Sequence, residues 1–466
     1  MSLHPSRCNG YVAAQHNKAA RHIRVKILFP LAALLLLALA APAAAGERPN
    51  LLVIMTDDQR ADGTMNMLPE TRRKIGRRGT TFLEAHVTTP KCCPSRASFF
   101  TGLYAHNHGV ISNSRAEALP QRRTVQRLVR PQGYRTAIFG KYLNAWPVEV
   151  NPPFFDEWAI SNGGYSATFW NIDGRVRTKR RYPTDLVTER ALRFIRRADR
   201  REDEQPWLAW ITPYAPHLPS TPAQRHRELP LPFFPITPAM QETDLSDKPP
   251  FLEAARNEEA RLATARDDGR RTLMAVDEMV GRLLAELRKR GEADNTLVIF
   301  TSDNGFMMGE HGGVVGKDLP YPASTRVPLL VRWPGHFRAR RTNSNLVANI
   351  DVAATLLDAA GVRHRTDGRS LLRRGRRSAL LFESRGSYAE DRAPRLPAFS
   401  SVRTPTYRYA EYYRHGTFDL IFREYYDLMV DPWELENTAP TLDAARVAEL
   451  SATVDRLSRC KKQSCP

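Results

Sequence analysis

Leu51-Leu52-Val53-Ile54-Met55, running into Thr56-Asp57-Asp58, is the stretch that decides the fold class. Consecutive apolar residues without alternation read as a strand covered on both faces, because a solvated face would show a polar residue at every second position. Thr136–Phe139, Trp207–Ile211 and Leu297–Phe300 have the same character. Helical patterns lie between these runs. The clearest is Arg271–Arg290, with Leu273, Val276, Val280, Leu283, Leu284 and Leu287 on one face, stopped by Gly291. Asp351–Ala360, ended by Gly361, reads as another. Strands alternating with helices predict an α/β layered domain around a parallel sheet.

Outward from that frame, Phe169–Tyr182 carries Asp173-Gly174 between alternating segments and predicts a hairpin inserted outside the main sheet. Residues 218–260 are Pro-rich and charged, and read as a long surface excursion lining a substrate cleft. Arg373-Arg374-Gly375-Arg376-Arg377 reads as a linker. Beyond it, short runs of Tyr and Phe predict a small antiparallel sheet, then a terminal helix at Leu442–Leu457. The expected layout is a leader over 1–45, a catalytic domain over 46–375 and a small C-terminal subdomain over 376–466.

The chain has 466 residues, 42% of them hydrophobic, enough for one large core and a satellite. Arg21, Arg24 and Lys26 precede an apolar run, Ile27–Ala41, and Ala43-Ala44-Ala45 offers a cleavage site ahead of Gly46. The run is about 15 residues, short of the ~20 that span a bilayer, so a cleaved signal peptide is expected over a membrane anchor. That predicts a secreted or periplasmic protein with no stable membrane insertion. Formal net charge is +19, of which five basic residues fall in the leader. A basic surface favours acidic partners such as sulfated sugars, and an Arg-rich composition explains the charge equally well. No nucleic-acid-binding motif accompanies it. Cys460 and Cys465 are expected to pair in an oxidising compartment, while Cys92 and Cys93, adjacent to each other, are poor partners.

Open α/β sheets bind ligands beyond the carboxyl ends of their strands. The first run is followed by Asp57-Asp58, the second by Gly140-Lys141, the third by a loop holding His217, and the fourth by Asp303-Asn304-Gly305. Each strand therefore delivers a polar group to one edge. Asp57, Asp58, Asp303 and Asn304 offer only oxygen ligands, which suit calcium before magnesium and do not suit zinc. Taken singly, Asp57-Asp58 reads equally well as a helix-capping turn and Asp303-Asn304-Gly305 as a tight turn. A zinc site from Cys92, Cys93, His106 and His108 fails on spacing.

The stretch Cys92 to Gly109, CCPSRASFFTGLYAHNHG, resembles the signature of formylglycine-dependent sulfatases: a cysteine, one free position, Pro94-Ser95-Arg96, then Thr101-Gly102. It looks most like the N-acetylglucosamine-6-sulfatase branch. Gly140-Lys141-Tyr142-Leu143-Asn144, Gly316-Lys317-Asp318 ahead of Arg326-Val327-Pro328-Leu329, and Tyr426-Asp427-Leu428 with Asp431-Pro432 are similar to the same family. The resemblance implies an alkaline-phosphatase-like fold, a large mixed sheet flanked by helices with a smaller C-terminal domain of antiparallel sheet plus helix. It implies calcium held by Asp57, Asp58, Asp303 and Asn304, with the oxygen of a formylglycine made from Cys92 as a further ligand. A formylglycine-generating enzyme would then be a partner in maturation. By the same resemblance Arg96 steadies the formylglycine hydrate, Lys141 and Lys317 hold the sulfate, and His217 protonates the leaving alcohol. Leu143 stands where many sulfatases carry histidine, as in the glucosamine branch. His108 and Asn144 are candidates to contact sulfate or sugar but read as structural before catalytic, and Asp277 reads as structural. Cys92 itself is expected just ahead of a helix, Ser95–Leu103, whose free N–H groups favour an anion.

The implied function is hydrolysis of sulfate monoesters, on sulfated carbohydrate. A phosphonate or phosphate monoester hydrolase of the same fold, and a non-catalytic sulfoglycan-binding protein in which Cys92 stays a thiol, are the alternatives.

Overall fold

The structure is a computed structural model describing residues 48–198, 205–254, 259–386, 396–417 and 419–466. The leader reading over 1–45 lies outside the described residues. Among the described residues, ten strands form the main sheet: β1 (Asn50–Thr56), β2 (Thr80–Phe82), β3 (Arg135–Gly140), β4 (Glu157–Ile160), β5 (Thr168–Ile172), β6 (Arg175–Lys179), β7 (Trp207–Thr212), β8 (Thr296–Ser302), β9 (Leu329–Arg332) and β10 (Arg341–Asn343). Their order is β10-β2-β9-β8-β1-β7-β3-β4-β5-β6. The strands read from apolar runs are β1, β3, β7 and β8. They lie side by side at the centre and run parallel, with Leu51 opposite Leu208 and Leu297.

The helices that concern the site are α1 (Pro69–Lys74), α2 (Cys92–Thr101), α3 (Pro183–Ala198), α4 (Gly269–Lys289), α5 (Asn349–Ala359) and α6 (Ala444–Ser458). Strand β1 shows why its sequence does not alternate. Leu51, Val53 and Met55 face a core shared with Phe99 and Phe100 of α2 and Leu356 of α5. Leu52 and Ile54 face the opposite core, with Phe194 of α3 and Val276 and Val280 of α4. The six apolar side chains predicted for one face of α4 are all buried. Each such burial contributes about 1.5–3 kcal/mol.

The Asp173-Gly174 hairpin is present, but it is not a separate insertion. Strands β5 and β6 pair with each other, and β5 pairs antiparallel with β4, so the hairpin extends the main sheet to its edge. Open backbone groups on β4 would otherwise face solvent, and the hairpin supplies their partners. The excursion over 218–260 is less solvated than predicted. His226, Phe234, Thr237, Ala239 and Lys248 are buried.

C-terminal to these elements lies a second sheet of β11 (Leu380–Ser384), β12 (Ala398–Arg403), β13 (Tyr407–Tyr413) and β14 (Leu420–Asp427), antiparallel throughout. Helix α6 packs on it through Leu450, Val454 and Leu457. Arg377, in the stretch read as a linker, is buried and bridges both oxygens of Asp351 at the start of α5, at 2.6 and 2.8 Å. Cys460 and Cys465 form a disulfide. Among the described residues, no helix is long and apolar enough to cross a membrane.

Candidate active site

The carboxyl ends of β1, β3, β7 and β8 converge on one buried cluster. Strand β1 ends in Asp57 and Asp58, and Asp58 takes the left-handed conformation (φ 69°). Its N–H donates to Asp303 Oδ1 at 3.1 Å, which ties the end of β1 to the end of β8. Such a backbone costs a non-glycine residue energy, and strain of this kind concentrates at functional sites. Strand β3 ends in Gly140 (φ 121°), where an added Cβ would meet the Thr212 carbonyl at 1.9 Å. Glycine is therefore required, and the turn it permits delivers Lys141.

Helix α2 begins at Cys92, three residues earlier than the sequence predicts, and ends at Gly102 in the left-handed region. Pro94 is accommodated because first-turn positions need no intrahelical donor. Cys92 Sγ lies 3.5 Å from Asp57 Oδ1 and 3.7 Å from Asp58 Oδ1. Lys317 Nζ lies 2.6 Å from Sγ and also pairs with Asp58. Lys141 Nζ donates to Asp57 Oδ2 at 2.8 Å. Arg96, one turn along α2, donates from Nε to Asp303 Oδ2 and from Nη1 to the Lys141 carbonyl, both at 2.7 Å.

Charges fix protonation states here. Burial would raise the Asp57 carboxyl, but Lys141, His217 and Arg96 outweigh it and hold the group below its ordinary range. Asp58 is likewise lowered, burial being overcome by Lys317 and His217. Burial would lower Lys141 and Lys317, but Asp57 and Asp58 hold each above its ordinary value, so both stay cationic. Burial pushes the Cys92 thiol well up despite Lys141 and Lys317. It is therefore a neutral thiol and a weak nucleophile as it stands.

Asp57, Asp58, Cys92 and His217 place one ligand atom each within 4.8 Å of one another. Asn304 adds a further oxygen. Its Nδ2 donates to Asp58 Oδ1 at 2.7 Å, which leaves its Oδ1 buried without a hydrogen-bond partner. An unpaired buried carbonyl is costly, and a cation facing it removes the cost. The oxygens of Asp57, Asp58 and Asn304 suit a hard divalent ion, whereas the Cys92 sulfur and the His217 nitrogen are donors that softer metals prefer. Asp303 is nearer to commitment elsewhere, since the Asp58 amide and Arg96 each occupy one of its oxygens. His217, read from sequence as an acid, stands in the ligand group with Nε2 3.6 Å from Asp58 Oδ2.

The structure separates the remaining sequence candidates from this cluster. His108 is buried, with Nε2 on Ser98 Oγ at 3.1 Å and Nδ1 accepting from the Val110 amide. His106 bonds Glu383 and the Cys460 carbonyl. Cys93 Sγ points to the Asn144 carbonyl, 3.8 Å away. Asp277 accepts from the amides of Glu70 and Thr71 and holds the first turn of α1. One residue escaped the sequence reading: Tyr214, whose hydroxyl lies 2.7 Å from His217 Nδ1 and donates to the Leu218 carbonyl. Its spacing in Tyr214-Ala215-Pro216-His217, just past β7, was the available signal.

Residues 49–362 match the sulfatase family model. The chain belongs to the sulfatase family. A second model, the C-terminal region of N-sulphoglucosamine sulphohydrolase, matches residues 309–463. The extracellular sulfatase SULF-1 homolog of Drosophila melanogaster is 35% identical over 351 residues, covering 70% of this chain and 31% of its own. A Caenorhabditis elegans relative is covered to 48%, so the chain spans less than half the length of these two proteins. N-acetylglucosamine-6-sulfatase of Homo sapiens is 30% identical over 485 residues, 91% of this chain and 87% of its own. A solved structure in complex with D-glucosamine-2-N,6-O-disulfate superposes with a TM-score of 0.72 at 25% identity, covering 88% of this chain and 97% of the other. The chain thus carries the alkaline-phosphatase-like fold of its sulfatase neighbours.

Proposed function

We propose that this sulfatase hydrolyses sulfate monoesters of sugars, with Cys92 converted to formylglycine as nucleophile and calcium as the metal. The observation that carries the reading is the place of Cys92: a buried, neutral thiol at a helix N-terminus, against Asp57 and Asp58 and under the Lys317 ammonium. Lys141, Lys317 and the helix N-terminus favour a thiolate, but burial outweighs them, so the thiol stays neutral in a setting whose cations suit an oxygen nucleophile. Asp57, Asp58, Asp303 and Asn304 would hold calcium, which when bound supplies Lewis-acid stabilisation of sulfate oxygens. Oxidation of Cys92 by the maturing enzyme, with loss of its sulfur, would give an aldehyde, and water added to that aldehyde would supply paired hydroxyls, one to attack sulfur and one to release sulfate.

The chain's own residues then have distinct tasks. Lys141 and Lys317 hold the sulfate oxygens, and their raised pKa keeps them charged. Arg96 is locked by Asp303 and the Lys141 carbonyl, leaving a buried Nη2 without a hydrogen-bond partner to steady the attacking oxygen. Tyr214 orients His217 through Nδ1, and Nε2 donates a proton to the departing alcohol oxygen. The His217 side chain is 25% exposed, so the sugar approaches from its side. The human relative's name supports a 6-sulfated N-acetylglucosamine as the first substrate to try. Removal of residues 1–45, export, maturation by a formylglycine-generating enzyme and a division near residue 375 complete the proposal.

The test is mass spectrometry of the Cys92 peptide from native-host protein, joined to turnover of aryl sulfate, aryl phosphonate and N-acetylglucosamine-6-sulfate. The aldehyde form, with sulfate preferred over phosphonate, is expected. Cys92→Ala should lower turnover by at least about 10⁴-fold with the fold retained. Full activity in that variant refutes the assignment.

A further inference from the structure

We propose that a basic groove along β2, β9 and β10 is a second binding site, taking a distal segment of a sulfated glycan whose scissile group lies at the catalytic edge. The choice of glycan rests on the sulfate-ester reading above. The groove is a cavity of about 670 Å³ lined by Arg72, Arg77, Arg326, Arg340 and Arg341, with Asp62 and Glu84 as its acids. Both acids are already neutralised. Asp62 pairs with Arg326, and Glu84 is contacted by Arg326 at 3.5 Å, Arg403 at 3.1 Å and His86 at 3.3 Å. Arg72, Arg77, Arg340 and Arg341 are exposed, and none forms an ion pair among the described residues. The groove therefore presents four uncompensated cations around an apolar floor that includes Phe82 and Val327. That combination suits a polymer with apolar sugar faces and strong anions along its length.

A charged edge strand also deters strand pairing, which alone explains Arg341 on β10. It does not explain Arg72 on α1 or Arg77 in the turn beyond it, which reach the same groove from another element. Continuity with a second cavity is the next observation. Asp62, Glu84 and Arg326 also line an adjoining cavity of about 330 Å³, walled by Arg60 and Glu310. Arg60 follows Asp58 by two residues in sequence, so the second cavity has a wall residue close along the chain to the end of β1, although none of the cluster residues lines either cavity.

The experiment measures binding of a size-defined heparin octasaccharide by calorimetry across a salt series, in the full protein and in Arg77→Gln/Arg341→Gln. Affinity should fall about tenfold or more in the variant, and the slope of log affinity against log salt should shrink by about one to two. KM for a monosaccharide sulfate should not move. Unchanged affinity and slope overturn the groove. Equal affinity for single-stranded DNA of matched charge overturns the glycan assignment. Because binding needs neither turnover nor the aldehyde, loss of octasaccharide affinity in the variant stands even where hydrolysis fails.

Discussion

Two buried ionic clusters in this sulfatase are built for different ends. At the catalytic edge, Asp57, Asp58 and Asp303 meet Lys141, Lys317 and Arg96. In the C-terminal sheet, Arg408 on β13 meets Glu434 at 2.8 Å and Glu424 at 3.3 Å. There, hydroxyls of Tyr321, Tyr412 and Tyr426 donate to Glu424 at 2.6, 2.5 and 2.8 Å. Burial would raise Glu424, and Arg408 with those tyrosines holds it below its ordinary value. Rigid aromatic donors fix that carboxylate in one place. Lysines on four-carbon stems do not, and the Asp58 oxygen shared by Lys317 and Asn304 can change partners. One cluster is closed, and in the proposed function the other would exchange an ammonium for a metal or a substrate.

The contrast predicts unlike responses to losing one cation. Arg408→Leu strands two buried carboxylates and should cost about 3–5 kcal/mol in chemical denaturation. Calcium should return none of it. Lys317→Met should lower turnover about 10²- to 10³-fold. Its stability loss in metal-free protein should be largely offset when calcium is added, because the ion takes over Asp58. If calcium leaves the Lys317→Met melting temperature where it was, the exchange picture of the catalytic cluster is wrong.

The two clusters also differ in how far sequence discloses them. Asp57, Lys141, His217 and Asp303 each follow an unbroken apolar run, and the parallel sheet carries such residues to one edge, so their convergence is readable from strand order alone. Lys317 sits in a loop and is visible only through its motif. Asp58's left-handed backbone, and the capture of Asp303 by Arg96, depend on contacts more than 200 residues apart in sequence. The Arg408 cluster is invisible beforehand. Charged residues on a short strand read as a solvated face, and only packing of β13 between its neighbours, with Tyr321 arriving from another element, buries them. The hairpin at Asp173-Gly174 was legible as a turn but not in its pairing, because β4, its partner, lacks a long apolar run.

His108 sharpens the contrast from a third direction, as a buried group kept neutral. Burial, with His106 nearby, depresses it from 6.5 to about 3. The unfolded chain therefore binds a proton that the folded protein refuses between those values. Stability must fall as pH drops through that window, by about 1.4 kcal/mol per unit. His108→Asn removes that one proton from the linkage. Its unfolding free energy should thus show a shallower pH dependence between 6 and about 4, whatever its absolute stability. An unchanged slope would mean that the imidazole titrates normally in the folded protein.

The smallest expected effect tests whether the clusters communicate. Tyr321 follows Lys317 by four residues, packs against His311 with the rings tilted and their centroids 4.1 Å apart, and donates to Glu424 of the closed cluster. Tyr321→Phe keeps the ring and removes one hydrogen bond to a buried carboxylate whose other donors remain. A loss of about 1 kcal/mol is expected, with kcat and KM for a small sulfate ester within about twofold of the parent. A closed cluster that only stabilises permits that outcome. A tenfold drop in kcat at unchanged stability would instead make Tyr321 a positioning residue for Lys317, and the C-terminal sheet would then be part of how the catalytic lysine is aimed.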